Sequence, residues 1–271
     1  MPRRVQRLDA ELVRRGLARS REQAVELIVA GRVEVRGVAA SKPATGVTAG
    51  TPVRVLADED DPGYASRGAH KLAGALDTFG ALRVAGRRCL DAGASTGGFT
   101  DVLLRRGATE VVAVDVGYGQ LSWALRNDER VQVHDRTNVR TLSAEAIGGA
   151  ATLTVADLSF ISLKLVLPTL AACTTDDGDL LPMVKPQFEV GKDRLGSGGV
   201  VRDPALRAEV VTDVAAAAEG LGWLSAGVCA SPLPGPSGNV EFFLWLRRSV
   251  SRPLDRDAIH EVVSTAEVGS R

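Results

Sequence analysis

The sequence predicts an α/β protein in two parts, a small N-terminal α+β module and a body whose seven-stranded, mostly parallel sheet alternates with helices. Three observations carry this expectation. Strand-like apolar runs fall near 87–90, 110–115, 131–133, 152–156, 180–184, 224–229 and 240–246, with helical patterns between several of them. The last two runs are joined by Ser231-Pro-Leu-Pro-Gly-Pro-Ser-Gly238, which has no room for a crossover helix, so the final strand is expected to run antiparallel. Charge divides the chain as well: residues 1–56 hold eleven Lys/Arg against five acids, a surplus of +6 that the rest must cancel, because the formal net charge is zero. The body therefore reads as a Rossmann-like sheet with one late antiparallel strand, and the basic module as a docking part for a phosphate backbone.

The N-terminal elements follow from local patterns. Leu8, Leu12, Val13 and Leu17 recur at helical spacing and Gly16 offers a stop. Ser20 is placed to cap a second helix, with Gln23 completing a capping box and Ala24, Leu27 and Ile28 forming its apolar face until Gly31. Val33-Glu-Val35 alternates as a strand, Gly37 turns, and Val47 to Val55 supplies further strand material. The acidic run Asp58-Glu-Asp-Asp61, closed by Pro62-Gly63, reads as a linker. The expected organisation is thus a module over 1–57, a linker over 58–65, a body over 66–250 and a helical tail over 251–271.

Within the body, the stretch Asp91-Ala-Gly-Ala-Ser-Thr-Gly-Gly-Phe-Thr100 stands where the strand ending at Leu90 turns into a helix, the place at which a nucleotide-like cofactor is cradled. Asp115 closes the next strand 24 residues after Asp91, where a βαβ unit puts the carboxylate that grips a ribose. The glycines are spaced Gly93-x-x-x-Gly97-Gly98 rather than G-x-G-x-x-G, and an acid opens the turn. That acid repels a pyrophosphate and suits a cationic methionine moiety, so S-adenosyl-L-methionine fits better than a dinucleotide. Gly93 and Ala94 to Gly98 are expected beneath the methionine part, with Ser95 and Thr96 as polar contacts, and Phe99, which opens the helix, and Asp91 are also cofactor-binding candidates. Asn138 is a candidate for the adenine edge, with a turn-forming role as the alternative, and Asp135 is a similar minor candidate. Asp157 and Lys185 end later strands, and Glu241 lies among large apolar residues, where an unpaired carboxylate is costly and a lysine partner is expected.

Some classes are disfavoured. Cys89, Cys173 and Cys229 form no C-x-x-C pair, so neither a disulfide framework nor a metal site is expected, and they suit a reducing cytoplasm. The start, Met1-Pro-Arg-Arg4, has no secretory apolar region, and no apolar run reaches the length of a membrane span.

Two resemblances extend this reading. Arg7-Leu-Asp9, Gly16, Ser20-Arg21, Ala24, Ile28, Gly31-Arg-Val33 and Lys42-Pro43 resemble an S4-type RNA-binding domain. The likeness implies phosphate contacts from Arg3, Arg4, Arg19, Arg21, Arg32 and Lys42. Ser66-Arg-Gly-Ala-His-Lys71, the Asp91–Thr100 turn, Asp115-Val-Gly-Tyr-Gly-Gln120, Arg136-Thr-Asn138, Ala156-Asp-Leu-Ser-Phe-Ile161, Val184-Lys-Pro-Gln-Phe-Glu189 and Ser231 to Asn239 together resemble the TlyA family. That family couples an S4-like domain to an FtsJ-like ribose 2′-O-methyltransferase, modifies cytidines of 16S and 23S rRNA in the 30S and 50S subunits, and is also described as haemolysins. The resemblance implies a catalytic tetrad of Lys71, Asp157, Lys185 and Glu241, with Lys185 orienting and deprotonating the ribose hydroxyl, Asp157 also lining the cofactor site, Arg67 contacting RNA, and Gln187 and Phe188 beside the target nucleotide. No stable membrane partner is expected, and a monomer is the expected state; a membrane-active haemolysin is the alternative, for which Val210 to Leu221 is the longest candidate segment. One departure is visible: family members carry an aromatic-valine pair before Ser-Arg-Gly, where this chain has Tyr64-Ala65.

Overall fold

The computed structural model describes residues 5–18, 21–56, 62–235 and 237–266. The chain divides into two compact units, Met1–Gly63 and Tyr64–Arg271.

The first unit begins with β1 (Gln6–Arg7) and α1 (Leu8–Arg14), continues with α2 (Arg21–Val29), β2 (Val33–Val35) and β3 (Val38–Ala39), and ends with β4 (Gly46–Val47) and β5 (Val53–Val55). Leu8, Leu12, Ala24, Ile28, Val33 and Val47 form its core, as the helical and alternating patterns predict. Gly16 and Gly31 terminate the two helices with φ of +69° and +70°, a conformation a β-carbon would strain. Ser20, the expected cap of α2, lies outside the described residues. β1, which pairs antiparallel with β4, is too short for a sequence pattern to reveal.

The second unit contains α3 (Gly68–Thr78), β6 (Arg88–Ala92), α4 (Gly98–Arg105), β7 (Glu110–Val114), α5 (Trp123–Arg126), β8 (Val131–His134), β9 (Ala151–Ala156), α6 (Leu167–Ala172), β10 (Thr174–Val184), α7 (Pro186–Glu189), α8 (Pro204–Glu219), β11 (Leu224–Ala230), β12 (Phe242–Arg247) and α9 (Arg256–Thr265). Its seven strands run in the order β11-β12-β10-β9-β6-β7-β8. The four strands β9, β6, β7 and β8, with β10, pair in parallel, while β12 runs antiparallel to both β10 and β11.

The period-2 alternation of strands sorts the side chains onto two faces. Leu90, Val112 and Val114 pack with Leu170, Val211, Val214, Ile259 and Val263, which places α6, α8 and α9 on one side. Cys89, Val111 and Ala113 pack with Leu72, Leu76, Val102 and Leu103, which places α3 and α4 on the other. The result is a three-layer sandwich. α9 lies within the 251–271 span expected to be helical, and it packs on the sheet, with Ile259 and Val263 in the core. The linker expected to extend to residue 65 also ends earlier: the Ala65 amide donates to Asp101 Oδ2 at 2.7 Å, and the Arg105 guanidinium lies over the Tyr64 ring, so both residues belong to the second unit. Among the described residues no helix is long and apolar enough to cross a membrane. The three cysteines are buried and free, and burial pushes the Cys89 and Cys229 thiols up to about 12.

Candidate active site

Strand order decides which residues meet. β12, β10, β9 and β6 are consecutive neighbours, with Phe242 opposite Val184, Pro182 opposite Ala156, and Ala92 opposite Ala156. The residue before β12 and those after β10, β9 and β6 therefore emerge along one edge: Glu241, Lys185, Asp157 and Gly93. Because β12 is antiparallel, its acid arrives at its start while the others arrive at strand ends. Open α/β sheets bind their ligands at this carboxyl edge.

Two ion pairs stand there. Lys71, on the buried side of α3, donates to Glu241 Oε2 at 2.5 Å. Lys185 Nζ lies 2.5 Å from Asp157 Oδ1, outside hydrogen-bonding alignment, and donates to Ser159 Oγ at 2.9 Å. Gln187 Nε2 donates to Glu241 Oε1 at 3.3 Å, so the segment carrying one lysine touches the partner of the other. Glu241 is wholly buried, and a β-carbon at Gly235 would sit 2.5 Å from its Oε1, which explains a glycine in the covering loop. The four tetrad candidates are thus brought together as two lysine-carboxylate pairs, each ammonium held by a carboxylate.

Beside them lies the glycine turn. Asp91 falls inside β6 rather than in the turn, a correction to its expected place. It shares the parity of Cys89 and faces α4, where Thr100 Oγ1 donates to its Oδ2 at 2.6 Å; Oδ1 is buried with no hydrogen-bond partner. Burial pushes the Asp91 carboxyl up to about 7, and the negative charges of Asp157 and Asp115 act in the same direction. The following Gly93 (φ +92°) has no space for a side chain, because a β-carbon would overlap the Asp157 carbonyl oxygen. Ala94 is buried, Ser95 and Thr96 are exposed, and Gly97 and Gly98 are buried where α4 begins. Asp115 holds the turn from the next strand: its Oδ2 accepts from the Ser95 amide at 2.8 Å and its Oδ1 from the Gly117 amide at 2.7 Å. Phe99 packs into the core against Phe243, with ring centroids 5.9 Å apart, so it supports the turn from beneath. Asn138 is engaged as the cap of a short 3-10 helix, accepting from the Arg140 amide at 3.0 Å, the turn-forming alternative of the sequence reading. Asp135 pairs with Arg126 at 2.5 Å.

An edge with three carboxylates in mutual electrostatic reach, two of which, Asp91 and Asp157, carry a buried oxygen with no hydrogen-bond partner, fits a cationic ligand. Two lysines with fixed partners sit next to it.

Residues 64–248 match the FtsJ-like methyltransferase family, and residues 6–53 match the S4 domain. The chain belongs to the FtsJ-like methyltransferase family. It is 63% identical over 262 residues, 95% of its own length and 97% of the relative's, to the 16S/23S rRNA (cytidine-2'-O)-methyltransferase TlyA of Mycobacterium tuberculosis. It is 34% identical to Hemolysin A of Brachyspira hyodysenteriae, over 87% of this chain and 97% of that one. A solved structure of a hemolysin-designated protein from Streptococcus thermophilus superposes with a TM-score of 0.76 at 39% identity, covering 96% of this chain and 94% of that chain. These likenesses bear out the TlyA resemblance read from the motifs.

In the S4 domain, the RNA-contact candidates fare differently. Arg3, Arg4 and Arg19 lie outside the described residues. Arg21 is exposed and pairs with Asp9 at 3.0 Å, joining Arg7, whose guanidinium holds the buried Asp9 carboxyl well below the usual carboxylate range. Arg32 is half-buried and donates to the Leu56 carbonyl at 3.2 Å, while Lys42 is exposed. Arg67, in the second unit, is exposed just before α3.

Two contacts at the edge escaped the sequence reading. Ser159 carries no pattern that marks it as a partner of Lys185. Glu189 is buried, accepting from Ser162 Oγ at 2.6 Å and from the Leu163 amide at 2.7 Å. Its place four residues after Lys185, across the short helix α7, was the available signal.

Proposed function

We propose that this protein methylates the ribose 2′-hydroxyl of cytidine in 16S rRNA, 23S rRNA or both, within 30S and 50S ribosomal subunits, with S-adenosyl-L-methionine as donor. The observation that carries the reading is the pairing of Lys71 with Glu241 and of Lys185 with Asp157, beside a glycine turn held by Asp115. A ribose hydroxyl is a weak nucleophile at neutral pH, so transfer requires orientation and removal of its proton. The donor supplies a sulfonium-activated methyl group. Asp115 is assigned to the cofactor ribose, Ser95, Thr96 and the backbone of Gly93 to Gly98 to its methionine part, and the acidic surroundings of Asp91 and Asp157 to its positive charge.

Lys185 is assigned to the acceptor hydroxyl: as the neutral amine it would orient the oxygen and take its proton, becoming the ammonium that Asp157 and Ser159 hold. Glu241 fixes the ammonium of Lys71. The S4 domain, with its basic surplus, supplies sequence-tolerant attachment to the phosphate backbone. The 63% identical TlyA relative supports cytidine and rRNA as the acceptor.

The test is mass spectrometry of rRNA fragments from 30S and 50S subunits after incubation with protein and S-adenosyl-L-methionine. Added methyl groups on cytidine ribose are expected. Methylation confined to a base, or its absence from both subunits, would refute the assignment.

A further inference from the structure

We propose that Glu189 is a positioning residue that sets where Lys185 stands relative to Asp157, by tying the segment after β10 to the segment after β9. The inference rests on the function proposed above.

Strand pairing brings Lys185 and Asp157 to neighbouring strand ends, but the register between β9 and β10 stops at Ala156 and Pro182. Beyond it the two segments need other ties. The Asp157–Leu163 segment is anchored at its start by the Asp157 amide, which donates to the Ala92 carbonyl at 3.0 Å. Its far end is anchored by the Leu163 amide and Ser162 Oγ, both donating to the Glu189 carboxylate. Among the described residues that carboxylate has no cationic partner, so its charge depends on these two donors. Ser162 in turn accepts from the Lys164 amide at 3.2 Å, opening a short 3-10 helix over Leu163–Leu165.

Between the anchors stands Phe160, 91% exposed with φ +63°. A phenylalanine in the left-handed region persists where its surroundings hold it there. Its ring meets that of Phe188 with centroids 5.1 Å apart, a largely solvated contact that shares the hold with the anchored ends. Ser159 and Asp157, the two groups that contact Lys185, lie on the same seven-residue span. Releasing Glu189 frees one end of the span, lets Phe160 relax, and withdraws both contacts from Lys185.

The test uses the full chain as Glu189→Ala and Glu189→Gln, assayed with 30S and 50S subunits. The alanine variant is expected to lose about 30- to 100-fold in kcat, the scale of a misplacement near 1 Å, with KM for the cofactor changed less than about twofold. The glutamine variant keeps an oxygen for the Leu163 amide and is expected to recover most of the loss. A second readout needs no methyl transfer: amine acetylation mapped by mass spectrometry, with exposed Lys164 as the internal standard. Lys185 labelling is expected to rise about fivefold or more in Glu189→Ala. Unchanged labelling, or equal loss in both variants, overturns the proposal. Should the alanine variant not fold, Ser162→Ala removes one donor alone; a smaller rise in Lys185 labelling is expected, and none overturns the proposal. A wild-type protein inactive on both subunits defeats the functional reading, while the labelling still decides the role of Glu189.

Discussion

The two edges of the sheet are built from the same residue types and use them differently. At the amino edge of the parallel strands, Asp179 is buried and crowded by donors: Arg87 pairs with Oδ2, Trp245 Nε1 donates to Oδ1 at 2.7 Å, and Arg247 Nε lies 3.1 Å away. Arg87 also donates to the Thr152 carbonyl at 3.2 Å, which binds β9 into the same cluster. At the carboxyl edge, each lysine has one carboxylate, and Asp91 Oδ1 and Gln187 Oε1 are buried with no hydrogen-bond partner. A carboxylate with both oxygens engaged has nothing left to offer a ligand and serves to fasten strands, even though Arg247 Nε beside it makes no aligned hydrogen bond. An unsaturated one retains capacity for a substrate at a cost in stability, so perturbed or orphaned groups concentrate where chemistry is done.

That contrast can be broken in a graded series. Lys185→Ala is expected to lower methyl transfer to ribosomal subunits by about 10²- to 10⁴-fold, while calorimetry finds the cofactor still bound; retained transfer would sink the tetrad assignment. Asp179→Ala should do the reverse. It leaves half-exposed Arg87 and Arg247 without their anion and the Trp245 donor unpaired, and is expected to cost about 1–3 kcal/mol in urea unfolding, with activity per folded molecule near wild type; a folded but inactive variant would erase the distinction between the edges.

Asp91 gives the contrast a pH signature. Its carboxyl is raised from 3.8 to about 7 by burial, so between those values the native state holds a proton that the unfolded chain releases. Stability from this group is therefore present at low pH and is lost as pH rises toward 7, by on the order of 2–4 kcal/mol. Asp91→Asn, which stays neutral, is expected to flatten this fall when melting temperatures are compared from pH 5 to pH 8; parallel curves for both proteins would exclude an ionising Asp91. The smallest effect belongs to Gln187→Ala, which removes one 3.3 Å contact with Glu241. A loss of roughly two- to fivefold in kcat follows from a hydrogen bond worth about 0.5–1 kcal/mol, measured by methyl incorporation, and a loss as large as that of Lys185→Ala would make Gln187 a principal catalytic group.

Much of this architecture was legible because it is written in local patterns. The short proline-glycine connection before Asn239 announced an antiparallel β12, and that reversal is what delivers Glu241 to the same edge as Lys185. The glycine turn announced itself through spacing, and Lys185, Asp157 and Glu241 as charges at the ends of apolar strands. What stayed hidden depends on distant geometry. Asp91 belongs to the strand because hydrogen bonding with β7 and β9 continues through it, which no composition near residue 91 reveals. Asp179 gathers partners from 92 and 66 positions away, and Glu189 from 26 and 27. α9 looked like a tail because its few apolar residues acquire meaning only against α8 and β11.

Gly93 gives the site an unusual tolerance specification. Its α-carbon abuts the Asp157 carbonyl so closely that the smallest side chain has no clearance. The turn after β6 and the end of β9 are therefore packed backbone against backbone. A methyl group added at residue 93 would act as a shim, prising the two segments apart while every reactive group kept its identity. In a saturation library, position 93 should read as an invariant glycine although no chemistry passes through it.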